Sequence, residues 1–134
     1  VRFIGDDFSP VRPELCKEYP TNYCIRQQIN GKFSIRTYID MPESTCIAFA
    51  SRYVNEDFHS FDEYVQSSLE DFLNLHNGLF NVNMSNEQGL ELQLDVPNVV
   101  TDELVTFEHE AYMLPIVYSF GTIHFIFELI HNEL

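Results

Sequence analysis

The sequence predicts an α+β domain: an antiparallel sheet of five to seven strands with one long amphipathic helix, about residues 60–76, packed on one face. Three observations carry this expectation. Residues 32–41 alternate apolar and polar with period two, residues 60–76 bear one apolar stripe at helical spacing, and short alternating runs follow, separated by turn residues. A chain of 134 residues suits a single domain, 1–134, and its 12 Phe and 7 Tyr are ample for a core.

Taken in order, residues 1–30 read as an irregular lead-in punctuated by Pro10, Pro13 and Pro20. Within it, CKEYPTNYC spaces Cys16 and Cys24 so that the Pro20-Thr21-Asn22 turn can bring their sulfurs together as a disulfide clip. Such a bond implies an oxidising compartment, hence a periplasmic or secreted protein, with the cytoplasm as the alternative. From Lys32 a strand sets Phe33, Ile35, Thr37, Ile39 and Met41 on one face. Pro42-Glu43-Ser44 makes a turn, and the apolar run Thr45 to Tyr53 reads as a second, more buried strand, with Cys46 a buried free thiol.

Ser60 and Glu63 then form a capping box for the helix, whose stripe is Phe61, Tyr64, Val65, Leu69, Phe72 and Leu73 and whose stop is Asn77-Gly78. Only strands are expected afterwards: Phe80 to Met84, Leu90 to Val96 and Leu104 to Met113, with Pro115 as a breaker. Ile116 to Phe120 and Thr122 to Ile130 close the domain as a hairpin turning at Gly121.

Charge bears most directly on function. Residues 1–52 hold all seven Lys and Arg and six acids, whereas residues 53–134 hold fifteen Asp and Glu and no Lys or Arg. A net charge of −14 excludes a nucleic-acid backbone or an anionic membrane as partner, and no apolar run reaches the roughly 18 residues of a membrane span. A field of this sign serves solubility or a salty habitat, or steers a basic protein toward the second half of the chain. The expected contact residues are Glu91, Asp95, Asp102, Glu103, Glu108 and Glu110, with Tyr112 or Tyr118 as an aromatic anchor.

Catalytic signals are absent from the pattern. There is no phosphate-binding loop, dinucleotide fingerprint, HExxH or EF-hand, and Ser67-Ser68 lies on a helix without the glycine turn a serine nucleophile needs. On a strand His109 points away from Glu108 and Glu110, while His124 and His131 read as a surface pair, with a zinc site as the alternative. Three Cys without a CxxC are a poor match to a metal site. The expectation is a non-enzymatic protein with no metal and no cofactor.

The succession GKFSIRTYIDMP, an apolar strand, SFDEYVQSSLEDFL, and a run of strands ending YSFGTIHFIFELI resembles the PsbP/Mog1/DcrB-like domains over residues 32–130. That resemblance implies a strand pair before one helix, antiparallel strands over it, and a non-catalytic binding or accessory role. Some bacterial immunity proteins against secreted toxins are similar to this group. With the acidic surface, this makes an immunity protein that captures a basic toxin the leading expectation. The alternatives are a small-molecule carrier with an apolar pocket and a nucleic-acid-mimicking inhibitor.

Overall fold

The computed structural model describes residues 8–10, 14–101 and 103–132. Four strands come first: β1 (Phe8–Pro10), β2 (Glu14–Pro20), β3 (Tyr23–Asn30) and β4 (Phe33–Met41). Two helices follow, α1 (Glu43–Val54) and α2 (Glu63–Gln88), and then β5 (Gln93–Leu94), β6 (Asn98–Thr101), β7 (Leu104–Tyr118) and β8 (Gly121–Asn132). All pairings are antiparallel, in the order β1-β7-β8-β4-β3-β5, with β2 also on β7 and β6 also on β3. Because β1 and β2 share one side of β7, and β5 and β6 one side of β3, eight strands fill six positions across the sheet. The α+β class with a long helix packed on an antiparallel sheet is as the sequence predicts.

Several elements differ from expectation. Residues 14–30 are not an irregular lead-in but strands β2 and β3. The alternation of β3 is disguised by Gln27, which stands between Ile25 and Ile29 on the helix-facing side and is as fully buried as they are. Thr45 to Tyr53 is not a strand but most of α1. Its buried residues, Thr45, Cys46, Phe49 and Ala50, recur at helical spacing. The run TCIAFASRY, with Thr45, Ile47, Phe49 and Tyr53 at alternate positions, satisfies either period, so pattern alone does not decide.

The long helix also differs at both ends. Its N-cap is Asp62 rather than Ser60, the carboxylate accepting from the backbone N–H groups of Tyr64 and Val65, each at 3.0 Å. Such a cap contributes about 1 kcal/mol. Asn77-Gly78 does not end it, because Asn77 is a buried residue whose amide is bonded to the sheet. The helix runs on to Gly89, which takes the left-handed conformation (φ 67°) and closes the last turn through its N–H to Ser85 O at 3.1 Å. The expected strand Phe80 to Met84 therefore lies within α2, and of Leu90 to Val96 only Gln93–Leu94 pairs. Pro115 breaks nothing: β7 passes through it opposite His124 of β8.

The core has two parts. Between the helices and the sheet lie Ile25, Ile39, Met41, Phe49, Val65, Leu69, Phe72, Leu73, Ile116 and Ile123. The opposite face of the sheet buries Cys24, Tyr38, Val100, Phe107, Ala111 and Ile126. What covers this second cluster is the sheet itself. β2 runs into β3, and β6 into β7, and these two long runs keep one register against each other. Tyr19 stands opposite Val105, Pro20 opposite Leu104, Tyr23 opposite Thr101 and Cys24 opposite Val100. At the crossing, Thr21 N and Oγ1 both donate to Glu103 O at 2.8 Å. The ribbon joins the two edges of the sheet and curls it around the second cluster.

Candidate functional site

Where α2 leaves the core, its open face fronts the segment Leu94 to Pro97 and forms a cleft of about 460 Å³. Ser67, Glu70, Asp71 and Asn74 line it from the helix, Asp95, Val96 and Pro97 from the facing segment. The spacing of these helix residues sets them on one side of α2, with Asp71 and Asn74 one turn apart. Both are exposed, while their neighbours Phe72 and Leu73 point into the core. The helix thus buries one face and presents an acid and an amide on the other.

Each of the two is held from a different element. Tyr53 of α1 donates its hydroxyl to Asp71 Oδ2 at 2.7 Å. The ring of Tyr53 is itself fixed, stacked on Phe49 at 5.9 Å and edge-on to Phe72 at 6.0 Å. Burial, and then the bond to Asp71, push its hydroxyl up to about 12, so it stays protonated and remains the donor at any physiological pH. Asn74 Oδ1 accepts from Gln27 Nε2 at 2.7 Å, a bond from the sheet beneath.

The cleft continues past Ser67 and Asp71 into a groove between the helices, about 310 Å³, lined by Tyr53, Val54, Phe58 and Tyr64. Exposed apolar groups stand on its rim among the acids Glu56 and Glu70: Tyr64 is 65% and Val96 79% accessible. A shallow cleft with apolar groups on its rim fits a protein surface better than an enclosed small molecule. No Lys or Arg lines it, and the described residues hold no group of three His, Cys, Asp or Glu placed to bind a metal ion. Side by side, an acid and an amide can orient a water molecule and take up its proton.

The residues expected to bind a partner are scattered. Asp95 lines the cleft. Glu91 is exposed before β5, Glu103 is exposed beside the ribbon crossing, and Glu108 and Glu110 are exposed on β7. Asp102 lies outside the described residues. Tyr112 is half-buried, stacked on Phe127 at 5.5 Å with its hydroxyl on Glu110. Tyr118 is buried against Phe120 and offers no surface to a partner.

Cys16 and Cys24 are not disulfide-bonded: all three cysteines are free thiols. The turn does not bring them together because Cys16 stands on β2 opposite Ala111, while Cys24 stands on β3 between Asp40 and Val100. The expectation of a periplasmic or secreted protein loses its support with that bond. His124 is half-buried, and the side chain of His131 lies outside the described residues. His124 packs beside Tyr19 at 5.7 Å, with its Nδ1 buried and unbonded among the described residues.

A curled antiparallel sheet carries two helices on one face, and an acid and an amide of the longer helix open onto a cleft. Residues 23–121 match the family described as chemotaxis phosphatase CheX. The chain belongs to the CheX chemotaxis phosphatase family. No curated protein matches it.

Solved structures share the fold at low identity. CheX of Vibrio vulnificus superposes with a TM-score of 0.80 at 15% identity, covering 96% of this chain and 89% of that one. CheX of Desulfovibrio desulfuricans gives 0.79 at 15%, covering 92% and 85%. A CheX-CheY-BeF3-Mg complex from Borrelia burgdorferi gives 0.77 at 17%, covering 95% and 86%.

These findings correct several expectations. The resemblance to PsbP/Mog1/DcrB-like domains and toxin-immunity proteins is overturned by the family match. With it fall the non-enzymatic reading, the basic toxin as partner, and the carrier and nucleic-acid-mimic alternatives. A hollow of about 280 Å³ does lie between α2 and the sheet, lined by Ile29, Ile35, Phe80 and Phe127, but the family is not one of carriers. The sequence reading passed over Asp71 and Asn74. The signal available was a polar face, Ser67-x3-Asp71-x2-Asn74, opposite the apolar stripe, and solvated helix faces look the same.

Proposed function

We propose that this protein is a phosphatase that removes the phosphoryl group from a CheY-like response regulator. The observation that carries it is the acid–amide pair Asp71 and Asn74 on the open face of α2, in a chain of the CheX phosphatase family. The Borrelia burgdorferi complex supports the partner: CheX is there with CheY and BeF3. Beryllium trifluoride bonded to a carboxylate oxygen stands in for the phosphoryl group of an aspartyl phosphate.

In this reading the regulator docks on the rim formed by Val54, Phe58, Tyr64 and Val96 and presents its aspartyl phosphate to the cleft. A water held between Asn74 and Asp71 attacks phosphorus in line with the acyl oxygen. Its oxygen forms the new P–O bond, the old P–O bond breaks to leave the regulator's carboxylate, and the water's proton passes to Asp71 and on to solvent. Inorganic phosphate departs. A cytoplasmic setting goes with a response-regulator partner and with three free thiols.

The test is the decay of a phosphorylated regulator with and without this protein. Wild type should accelerate the decay, and Asn74→Ala should lose about a hundredfold of that acceleration while still binding the regulator. An Asn74→Ala protein as fast as wild type would overturn the assignment.

A further inference from the structure

The phosphatase reading names the amide of Asn74 but not which end of it faces the reaction. An amide offers two hydrogens from one end and lone pairs from the other, and only the hydrogen-bond partners decide which is outermost. Here the partners lie beneath, in the sheet, and centre on Gln27, whose side chain is wholly buried.

The network is directional because it ends on backbone carbonyls, which can only accept. Gln27 Nε2 lies 2.8 Å from Asp95 O, so that atom is the donor end of Gln27. The same nitrogen lies 2.7 Å from Asn74, whose atom there must be the acceptor Oδ1. The other end of the chain agrees. Thr37 Oγ1 donates to Gln27 O at 2.8 Å, so it accepts from Asn77 Nδ2 at 2.9 Å. Asn77 Nδ2 gives its second hydrogen to Gln27 Oε1 at 2.8 Å. Every link runs one way, from Asn77 through Gln27 to Asn74.

We infer that Gln27 is a positioning residue of the phosphatase site, fixing the Asn74 amide with its oxygen toward the sheet and its Nδ2 hydrogens toward the cleft. This rests on the proposed function. Asn74 then acts as a donor: a water accepting from Nδ2 keeps its other lone pair for phosphorus and turns its hydrogens toward the Asp71 carboxylate. The bond of Gln27 to Asp95 O ties the facing wall of the cleft to the same side chain, so one buried residue sets both the amide and the cleft width.

The test is Gln27→Met, which keeps length and volume and removes donor and acceptor together. With a phosphorylated regulator as substrate, kcat should fall roughly 10- to 100-fold while KM stays within about twofold. A residue that merely supports the fold would lower activity by the same factor whatever stands at position 74. One that acts through Asn74 has nothing left to act on in Asn74→Ala, so Gln27→Met should add no further loss there. Additive losses, or an unchanged kcat in Gln27→Met, overturn the inference.

Should Gln27→Met not fold, Gln27→Glu has the same shape and puts an acceptor where the donor stood. Asn74 must then turn its amide over, and kcat should fall again at constant KM. Wild-type kcat in that variant overturns the inference equally. If Asn74→Ala is itself fully active, the phosphatase reading has failed instead, and the two failures remain distinct.

Discussion

Tyr53 joins the first helix to the acid of the cleft by a single hydrogen bond, and removing that oxygen isolates its role. Tyr53→Phe keeps the ring packed on Phe49 and Phe72 and leaves Asp71 free to turn. Phosphatase activity should drop several-fold, with stability falling by about 1 kcal/mol or less, because the lost bond lies at the surface. An activity equal to wild type would show that Asp71 needs no support from α1. The cysteines give a second residue-scale check. Cys24 and Cys46 are fully buried and Cys16 is half-buried, so one thiol should react with an aromatic disulfide reagent in the folded protein and three after unfolding. Fewer than three after unfolding without reductant would mean that a disulfide is present. Little at this scale was legible beforehand. Asp71, Asn74 and Gln27 are ordinary polar residues whose significance comes from partners far along the chain, Gln27 being bonded to residues 74, 77 and 95.

At the scale of elements, the sequence announced what is periodic and hid what is not. The alternation of β4 and of the β7–β8 hairpin, and the apolar stripe of α2, could be read directly because each repeats apolar residues at a regular period, although β4 also buries Tyr38 and Asp40 on its other face. β3 and α1 were missed for opposite reasons: a buried Gln interrupts one pattern, and an unbroken apolar run blurs the other. The extent of α2 was missed because Asn77-Gly78 has the chemistry of a helix stop, but Asn77 spends it on the sheet. Two substitutions test these elements. A methyl group at Gly78 meets nothing within 4 Å, so Gly78→Ala should stabilise by about 0.5–1 kcal/mol, a rise of a few degrees in Tm. At Gly121 φ is 145° and an added Cβ runs into the Thr45 side chain of α1. Gly121→Ala should therefore lower stability by about 2 kcal/mol or more, and chemical denaturation of the pair would show opposite shifts.

For the whole molecule, charge dominated the sequence reading and misdirected it, since a net charge of −14 is a property of the entire surface and the cleft uses only a few of those acids. Stability against pH is the better global observable. His124 is held below its ordinary 6.5 by burial, so the unfolded chain takes up protons that the folded chain refuses, and stability is lost as pH falls below about 6.5. Asp40, raised above 3.8 by burial, works the other way lower down: the folded chain there holds a proton the unfolded chain gives up. On the alkaline side burial pushes Cys46 and Tyr53 up to about 12 and raises Cys24 and Tyr19 as well. Above pH 9 the unfolded chain surrenders those protons first, and stability falls again. Unfolding midpoints between pH 5 and 11 should show a plateau from about 7 to 9; burial holds His76 down as well, so His124→Gln should remove only part of the limb near pH 6. A profile still rising above pH 10 would contradict these burials.

The ribbon that joins the two edges of the sheet has a further consequence. It makes the sheet a hoop, and a hoop has no dispensable end. Cutting the chain before residue 21 would not trim an appendage; it would open the hoop, expose Val100, Phe107 and Ile126 to water, and loosen the strand on which Gln27 stands.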